Sequence, residues 1–589
     1  MIDPSRPFVL LDDAREADAA PARLYSGPAE IVETRDPEEV RPCLDRLRAA
    51  QGRGLHSAGF LAYEAGHALE TKLAPLRRRP LDNAPPLLWF GLFDGFDEIG
   101  AGLVSEWLPD PASAWAGPVE PLTGRADYEA AVARVKAYIE AGDIYQANLT
   151  FPAEAATAGG PLGLYANIRP RARAGHGGVV FTGGHWLLSF SPELFFTLEG
   201  GRATTRPMKG TARRGADPAR DATAAAALLE DPKQRAENLM IVDLLRNDLA
   251  RVSRPGSVKV PSLFAVETYP TVHQMTSTVV SELEAEVGPI DLIEAIFPCG
   301  SITGAPKIRA MEIIGDIERQ QRHVYTGAIG RVAPDGEASF NVAIRTLTLK
   351  AGQDKAAMGL GSGIVADSLP QEEWRECLAK GAFVHDSATR FDLIETMRFD
   401  PRDGVAELER HLRRMKASAD TFGFPFDRHE TRNELQAATF RLRGPRKLRL
   451  LLSPTGAISI ESRPVPPTPS EPVAVAIVPR PVGADDFRLH HKTSDRPFLD
   501  RAREDAGTFE VLFEDEAGFL TEGSFTSLFV KRGGKLLTPP LSRGLLPGVL
   551  RARLLAEQKA EEGDLVVADL TGGFYVGNAV RGLVPAVLS

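Results

Sequence analysis

A second beginning inside the chain constrains its fold more than any other feature. FDLIETMRFDP, from Phe391, reads as a strand, and ELERHLRRMKASADTFGF after it reads as a helix. The stretch before it already mixes strand and helix patterns. FLAYEA and PPLLWFGLF are short strand-like runs joined by Pro-rich connections. DYEAAVARVKAYIEAGD has apolar residues at helical spacing and ends at Gly142, and IYQANLTFPAEA switches to strand. Up to about residue 385 the two patterns mix irregularly rather than alternating as a doubly wound sheet requires, which predicts an α+β domain. The 589 residues are too many for one core. The Pro-rich SRPVPPTPSEP, from Ser462, divides the second part, and AVAIVPR and FEVLFED lead into a Gly-rich end. The expected division is 1–120, 121–385, 391–462 and 470–589.

Charge and composition exclude several classes of function. A net charge of -10 is mild for this length and argues against nucleic acid as a partner. No apolar run approaches the length of a membrane span, and the acidic start lacks the basic and apolar regions of a signal peptide. Cys43, Cys299 and Cys377 show neither pairing nor metal-ligand spacing, so the expected compartment is cytoplasmic.

Several segments concentrate chemistry. RPMKGTARRG isolates Lys209, followed by a glycine that suggests close backbone approach. AENLMIVDLLRNDLARV reads as a helix carrying Glu237, Asp243 and Asp248, and in isolation as a solvated acidic face. CGSITGAPKIRAMEII sets Thr303 and Gly304 before a helix with Pro306 in its first turn; this is a well-capped helix or a carboxylate site. In GLGSGIVADSLPQEEWRECLAK, Glu373 and Glu376 share a helix face. They either hold a hard cation, or Glu376 pairs with Lys380 at i, i+4. Further on, HHKTSDRPFLDRAR isolates Lys492, and TPPLSRGLLPGVLRARLL offers Pro547-Gly548 at a helix start.

Six motifs, PMKGT, AENLMIVDLLRNDLARV, ETYPTVHQM, FPCGSITGAPKIRAMEII, NVAIRTLT and GSGIVADS, stand in the order found in the chorismate-utilising enzymes, which residues 120–385 resemble. The resemblance implies a large sandwich-like α+β domain. It assigns Lys209, which the aminodeoxychorismate synthases carry and the anthranilate synthases replace by alanine, as a nucleophile on the chorismate ring, its proton affinity lowered by burial and nearby cations. Ammonia would then displace the lysine from the para position. Isochorismate-forming relatives place a lysine base where this chain has Gln146, which argues against water as the nucleophile. By the same match Glu193 resembles a general acid and His273 a residue that polarises or positions the ring. Glu237, Glu373 and Glu376 resemble magnesium ligands. Arg345, Gly361 and Gly363 resemble carboxylate binders, and Thr303 and Tyr325 line the pocket. His323 and Val324 depart from the family's usual Gly-Pro.

Residues 391–589 resemble the fold-type IV pyridoxal-phosphate enzymes, a two-subdomain α+β unit, and look more like its lyase branch than its transaminases. The match implies that Lys492 holds pyridoxal 5'-phosphate and shuttles protons, and that Glu522 pairs with the pyridine nitrogen. Arg414, the Gly548-Val549 backbone and Asn578 would take the phosphate. Ser527 stands where many relatives have Asn. Together the halves imply amination of chorismate followed by loss of pyruvate to 4-aminobenzoate. Alternatives are an anthranilate synthase component fused to a transaminase, a D-amino acid or branched-chain transaminase in the second half, or a second half that only docks a partner. No cysteine lies in a glutaminase-type setting, so a separate glutamine amidotransferase subunit, or free ammonia, is the expected nitrogen source. A homodimer through the second half is a further expectation.

Overall fold

The computed structural model describes residues 2–215, 217–268, 272–385 and 391–589, with the side chain of Val272 also left out. Residues 269–271 of ETYPTVHQM lie outside the described residues. The chain divides into two compact units. One comprises Met1–Leu108, Pro118–Ala155 and Ile168–His385. The other comprises Pro109–Gly117, Ala156–Asn167 and Asp386–Ser589.

In the first unit two antiparallel sheets face each other. One runs through Gln146–Ala158, Lys355–Ile364, Thr346–Lys350, His185–Ser191, His176–Phe181, Phe8–Asp12 and Ala22–Ser26. The other runs through Met208–Arg213, Val272–Glu282, Arg202–Arg206, Leu194–Glu199, Ala338–Val342, Ala328–Val332, His56–Leu61 and Leu88–Phe93. LWFGLF, residues 88–93, shows why one apolar run serves here. Trp89 and Phe93 point into the layer between the sheets with Val9, Tyr25, Phe60 and Val180. Leu88, Phe90 and Leu92 point the other way, beneath the helices Val40–Gly52, Pro232–Ala250 and Pro289–Ile296. A strand buried on both faces has no polar alternation to show.

The acidic helix is less solvated than its sequence suggests. Asp248 is buried and paired with Lys307, which also donates to Ile296 O.

The second unit holds a four-stranded antiparallel sheet built on Leu393–Asp400, Arg446–Leu452 and Ile458–Pro464. A larger mixed sheet has Val473–Pro479 parallel to both Glu510–Glu514 and Gly582–Leu588. The Pro-rich segment therefore begins inside a strand. This unit also takes in two segments from far upstream. Trp115 lies edge-on to Phe422, ring centroids 5.1 Å apart, in a cluster with Phe391, Leu412, Leu448 and Phe487.

Candidate active sites

Lys209 sits on a strand defect. Met208 pairs with Thr276 and Thr211 with Gln274, so an extra residue is accommodated between them, and Gly210 has φ +98. A bulge re-aims a side chain, and only glycine enters this φ region without strain. The glycine after Lys209 is thus explained. The Lys209 charge is felt by three carboxylates, Glu193, Glu237 and Glu376. Two further lysines share these acids: Lys380 acts on Glu193 and Glu376, and Lys233 on Glu237 and Glu376. Lys380 pairs with Glu376 at 2.8 Å and donates to Gly361 O at 2.9 Å, and Lys233 pairs with Asp367.

Opposite the lysine, Gly359, Gly361 and Gly363 fall on one face of Lys355–Ile364, two residues apart. A methyl group at Gly359 would strike the half-buried Tyr325 ring. At Gly361 it would meet Leu149 O at 2.7 Å, and at Gly363 it would lie 2.6 Å from Gln146 Nε2 and 3.8 Å from Lys209 Nζ. Gln146 Oε1 is buried without a partner. Burial pushes the Tyr325 phenol above its usual range.

Glu193 is buried and accepts a 2.6 Å hydrogen bond from Ser301 Oγ, which also contacts Cys299 Sγ. Burial raises the Glu193 carboxyl, while Ser301, Lys209 and Lys380 oppose the rise. Thr303 is fully buried, its hydroxyl turned to Cys299 O and Gly300 O. Arg345 holds φ +49, a costly conformation for a non-glycine residue, with its guanidinium near the Phe383 ring.

Two groups stand apart from this cluster. Both ring nitrogens of His273 are engaged, Nδ1 by Thr268 Oγ1 at 3.0 Å and Nε2 by Asp221 at 2.9 Å. The three acids also do not close on one point. Glu237 registers the charge of Glu373, but Glu373 accepts from Ser368 and Glu376 is held by Lys380. No group of three acid, histidine or cysteine side chains among the described residues stands close enough to hold a metal ion.

Lys492 sits in a different environment. It is half-buried, its Nζ 3.4 Å from Thr396 Oγ1, and its amine is lowered to about 7, first by burial and then by Arg414, Arg496 and Arg449. Arg414 binds both oxygens of Glu395 and donates to Pro547 O, which sets it beside the start of Val549–Ala556. Burial alone would raise the Glu395 carboxyl, but Arg414 and His411 outweigh it and hold it well below the usual range. Glu522 is pushed up to about 7 by burial, against the opposing effects of Arg496 and of Leu546 N–H, which it accepts at 2.9 Å. A methyl group on Gly548, the cap of that helix, would lie 2.6 Å from Ser527 Oγ. Asn578 is spent on its own turn, accepting from Val580 N and Arg581 N and donating to Phe525 O.

This set fits pyridoxal phosphate. It has a half-buried amine of low proton affinity, a buried carboxylate for the ring nitrogen, and a helix N-terminus beside an arginine for the phosphate. Ser301, Arg496, Arg449 and Thr396 are the members that sequence reasoning missed. Arg496 lies inside HHKTSDRPFLDRAR, but nothing in that pattern separates a buried arginine from an exposed one.

Two units, each with one lysine ringed by ionisable groups, define a lysine-centred enzyme with two sites. The chain belongs to the chorismate-binding enzymes, whose family model matches residues 6–386; residues 392–588 match amino-transferase class IV, a fold that implies pyridoxal phosphate. Aminodeoxychorismate synthase component 1 of Klebsiella aerogenes is 43% identical over 268 residues, 46% of this chain and 58% of that protein. Its Escherichia coli (strain K12) namesake is 35% identical over 362 residues, 59% of this chain and 79% of that protein. The chain thus spans little more than half of the first relative's length. Anthranilate synthase component I from Streptococcus pneumoniae TIGR4 superposes with a TM-score of 0.54 at 26% identity, covering 63% of this chain and 93% of that one.

Proposed function

We propose that the protein converts chorismate to 4-aminobenzoate in two steps, amination in the first unit and loss of pyruvate in the second. The observation that carries this reading is Lys209, presented on a bulge between Glu193 and the glycine-lined strand. Its amine attacks the ring and the ring hydroxyl leaves, taking a proton from Glu193, whose carboxyl burial keeps raised. Ammonia then attacks the para carbon and Lys209 departs, giving 4-amino-4-deoxychorismate. Arg345 and the backbone at Gly361 and Gly363 take one substrate carboxylate, and Thr303 and Tyr325 shape the pocket. His273 positions the ring once Asp221 gives up Nε2. Glu237 and Glu373, with Glu376 once Lys380 releases it, are the acids that would hold the magnesium that chorismate-binding enzymes typically use.

In the second unit, bound pyridoxal phosphate would supply an electron sink that acidifies the C–H beside the substrate nitrogen. Lys492 removes that proton as a neutral amine, Glu522 holds the ring nitrogen, and Arg414 with the Gly548-Val549 backbone anchors the phosphate. Pyruvate leaves and aromatisation makes the step irreversible. The relatives' designation as component 1 supports a separate glutamine amidotransferase as the nitrogen donor. Among the described residues no helix is long and apolar enough to cross a membrane.

The test supplies chorismate, magnesium, ammonium and pyridoxal phosphate and follows products by chromatography. 4-Aminobenzoate with pyruvate supports the reading. Anthranilate overturns it at the first step, and lasting accumulation of aminodeoxychorismate overturns it at the second.

A further inference from the structure

A cavity of about 40 Å³, room for a few water-sized molecules, is lined by Leu76, Ile314 and Gln321 together with Tyr63, Glu64 and His67. None of its lining residues belongs to the Lys209 cluster. Tyr63, Glu64 and His67 hold an unusual concentration of unsatisfied chemistry. Tyr63 Oη, Glu64 Oε2 and the ring nitrogens of His67 are buried without a well-formed hydrogen bond, the Leu76 carbonyl being the one group that approaches the imidazole, on residues only 2%, 5% and 6% exposed. Such groups are normally paired, and each one left unpaired costs about 1–3 kcal/mol.

Neither of the two arginines in the lining, Arg322 and Arg78, satisfies them. Arg322 lies over the Tyr63 ring at 4.5 Å, but its guanidinium is spent on Glu318, Ile302 O and Asn148 O. Its backbone N–H takes Glu64 Oε1 at 2.6 Å and leaves Oε2 free. Burial lowers His67 to about 4, so the ring is neutral and one nitrogen accepts. The vacant capacity is therefore an oxygen of Glu64, whose carboxyl burial raises to about 7, an imidazole nitrogen and a phenol oxygen, around space for a few water-sized molecules.

We infer that this cavity is a binding site for ammonium or its conjugate base ammonia, the nitrogen substrate of the amination. Ammonium is the size of water, carries four N–H donors, and supplies the charge that Glu64 lacks. Location supports the assignment. Ile302 and Asn148, whose carbonyls Arg322 grips, flank Thr303, and Asn148 N–H donates to Thr303 O, so Arg322 ties the cavity lining to the residue read above as shaping the substrate pocket. The inference rests on the reading above for its role in catalysis but not for the binding itself.

Glu64→Gln keeps the shape and the bond from Arg322 N–H while turning the free acceptor into a donor; His67→Gln is the second variant. In the full chain, ammonium chloride in place of sodium chloride at equal ionic strength is expected to raise the melting midpoint of the wild type by about 1–2 °C and to leave Glu64→Gln unmoved. In ammonia-dependent amination, both variants are expected to raise the KM for ammonium roughly tenfold with the KM for chorismate unchanged. Equal responses to the two salts in wild type and variants mean a water-filled cavity and overturn the inference. Ammonium-specific stabilisation lost in Glu64→Gln, in a protein that does not aminate chorismate, leaves the site standing and removes the functional reading.

Discussion

The two lysines divide the work by opposite surroundings. Lys209 looks out from a strand bulge at Glu193, Glu237 and Glu376. Lys492 stands among Arg414, Arg496 and Arg449, with a single long contact to Thr396. Burial first and those arginines second lower the Lys492 amine to about 7, so much of it is neutral near physiological pH, which suits a group that takes protons repeatedly. Lys209 instead stands beside acids, among them the buried Glu193, which suits a nucleophile that works next to a proton donor.

Lys209→Ala breaks this comparison most severely. It is expected to cut formation of aminated product by about 10³-fold or more, because a covalent route is lost rather than weakened. Lys492→Ala is expected to leave amination intact and stop pyruvate release, so that aminodeoxychorismate accumulates; chromatography of the two variants decides. Full-speed para-amination by Lys209→Ala ends the covalent account. Glu193→Gln is expected to lower kcat for amination by about 10²- to 10⁴-fold. Ser301→Ala, which frees the same carboxylate from one hydrogen bond, is expected to shift the acid group in the pH profile upward, with Ser301→Thr restoring it.

Much of this was legible in the sequence and some was not, for reasons of distance and periodicity. Lys209 stands out because a glycine with no turn to serve follows it. Lys492 stands out for its company in HHKTSDRPFLDRAR, and Gly548 for its place ahead of a helix. The α+β character follows from irregular mixing of periods, and the structure bears it out. Ser301's grip on Glu193 joins positions 108 residues apart, which no local pattern announces. Asp248 reads as one more acid on a helix until Lys307 meets it in the interior. The orphaned atoms at Tyr63, Glu64 and His67 lie in FLAYEAGHAL, where the apolar spacing speaks only of packing.

Least legible is the contribution of residues 109–117 and 156–167 to the second unit. Trp115 sits 6% exposed in the cluster around Phe422. Trp115→Ala is expected to cost that unit about 3–5 kcal/mol. The expected outcome is an earlier melting transition with loss of pyruvate release while amination persists at lower temperature. Loss of both activities together would show that the two sites do not stand on separate cores.

The smallest predicted effect sharpens the electrostatic side of the comparison. Glu522, raised from its usual 4.5 to about 7, binds more protons folded than unfolded between those values, so its contribution to stability is lost as the pH climbs through that window. Lys492, lowered from 10.5 to about 7, binds fewer protons folded than unfolded above 7, so the cost of burying it is relieved as the pH climbs further. The two limbs meet near neutrality, and between roughly pH 5.5 and 8.5 each amounts to about 2 kcal/mol. Denaturant unfolding of the full chain without added cofactor is therefore expected to show the second unit losing stability toward pH 7 and regaining it above. Glu522→Gln removes the acid limb and Lys492→Met the alkaline one. A Lys492→Met curve parallel to that of the wild type above pH 7 would mean that burial and the arginines around this amine do not set its charge.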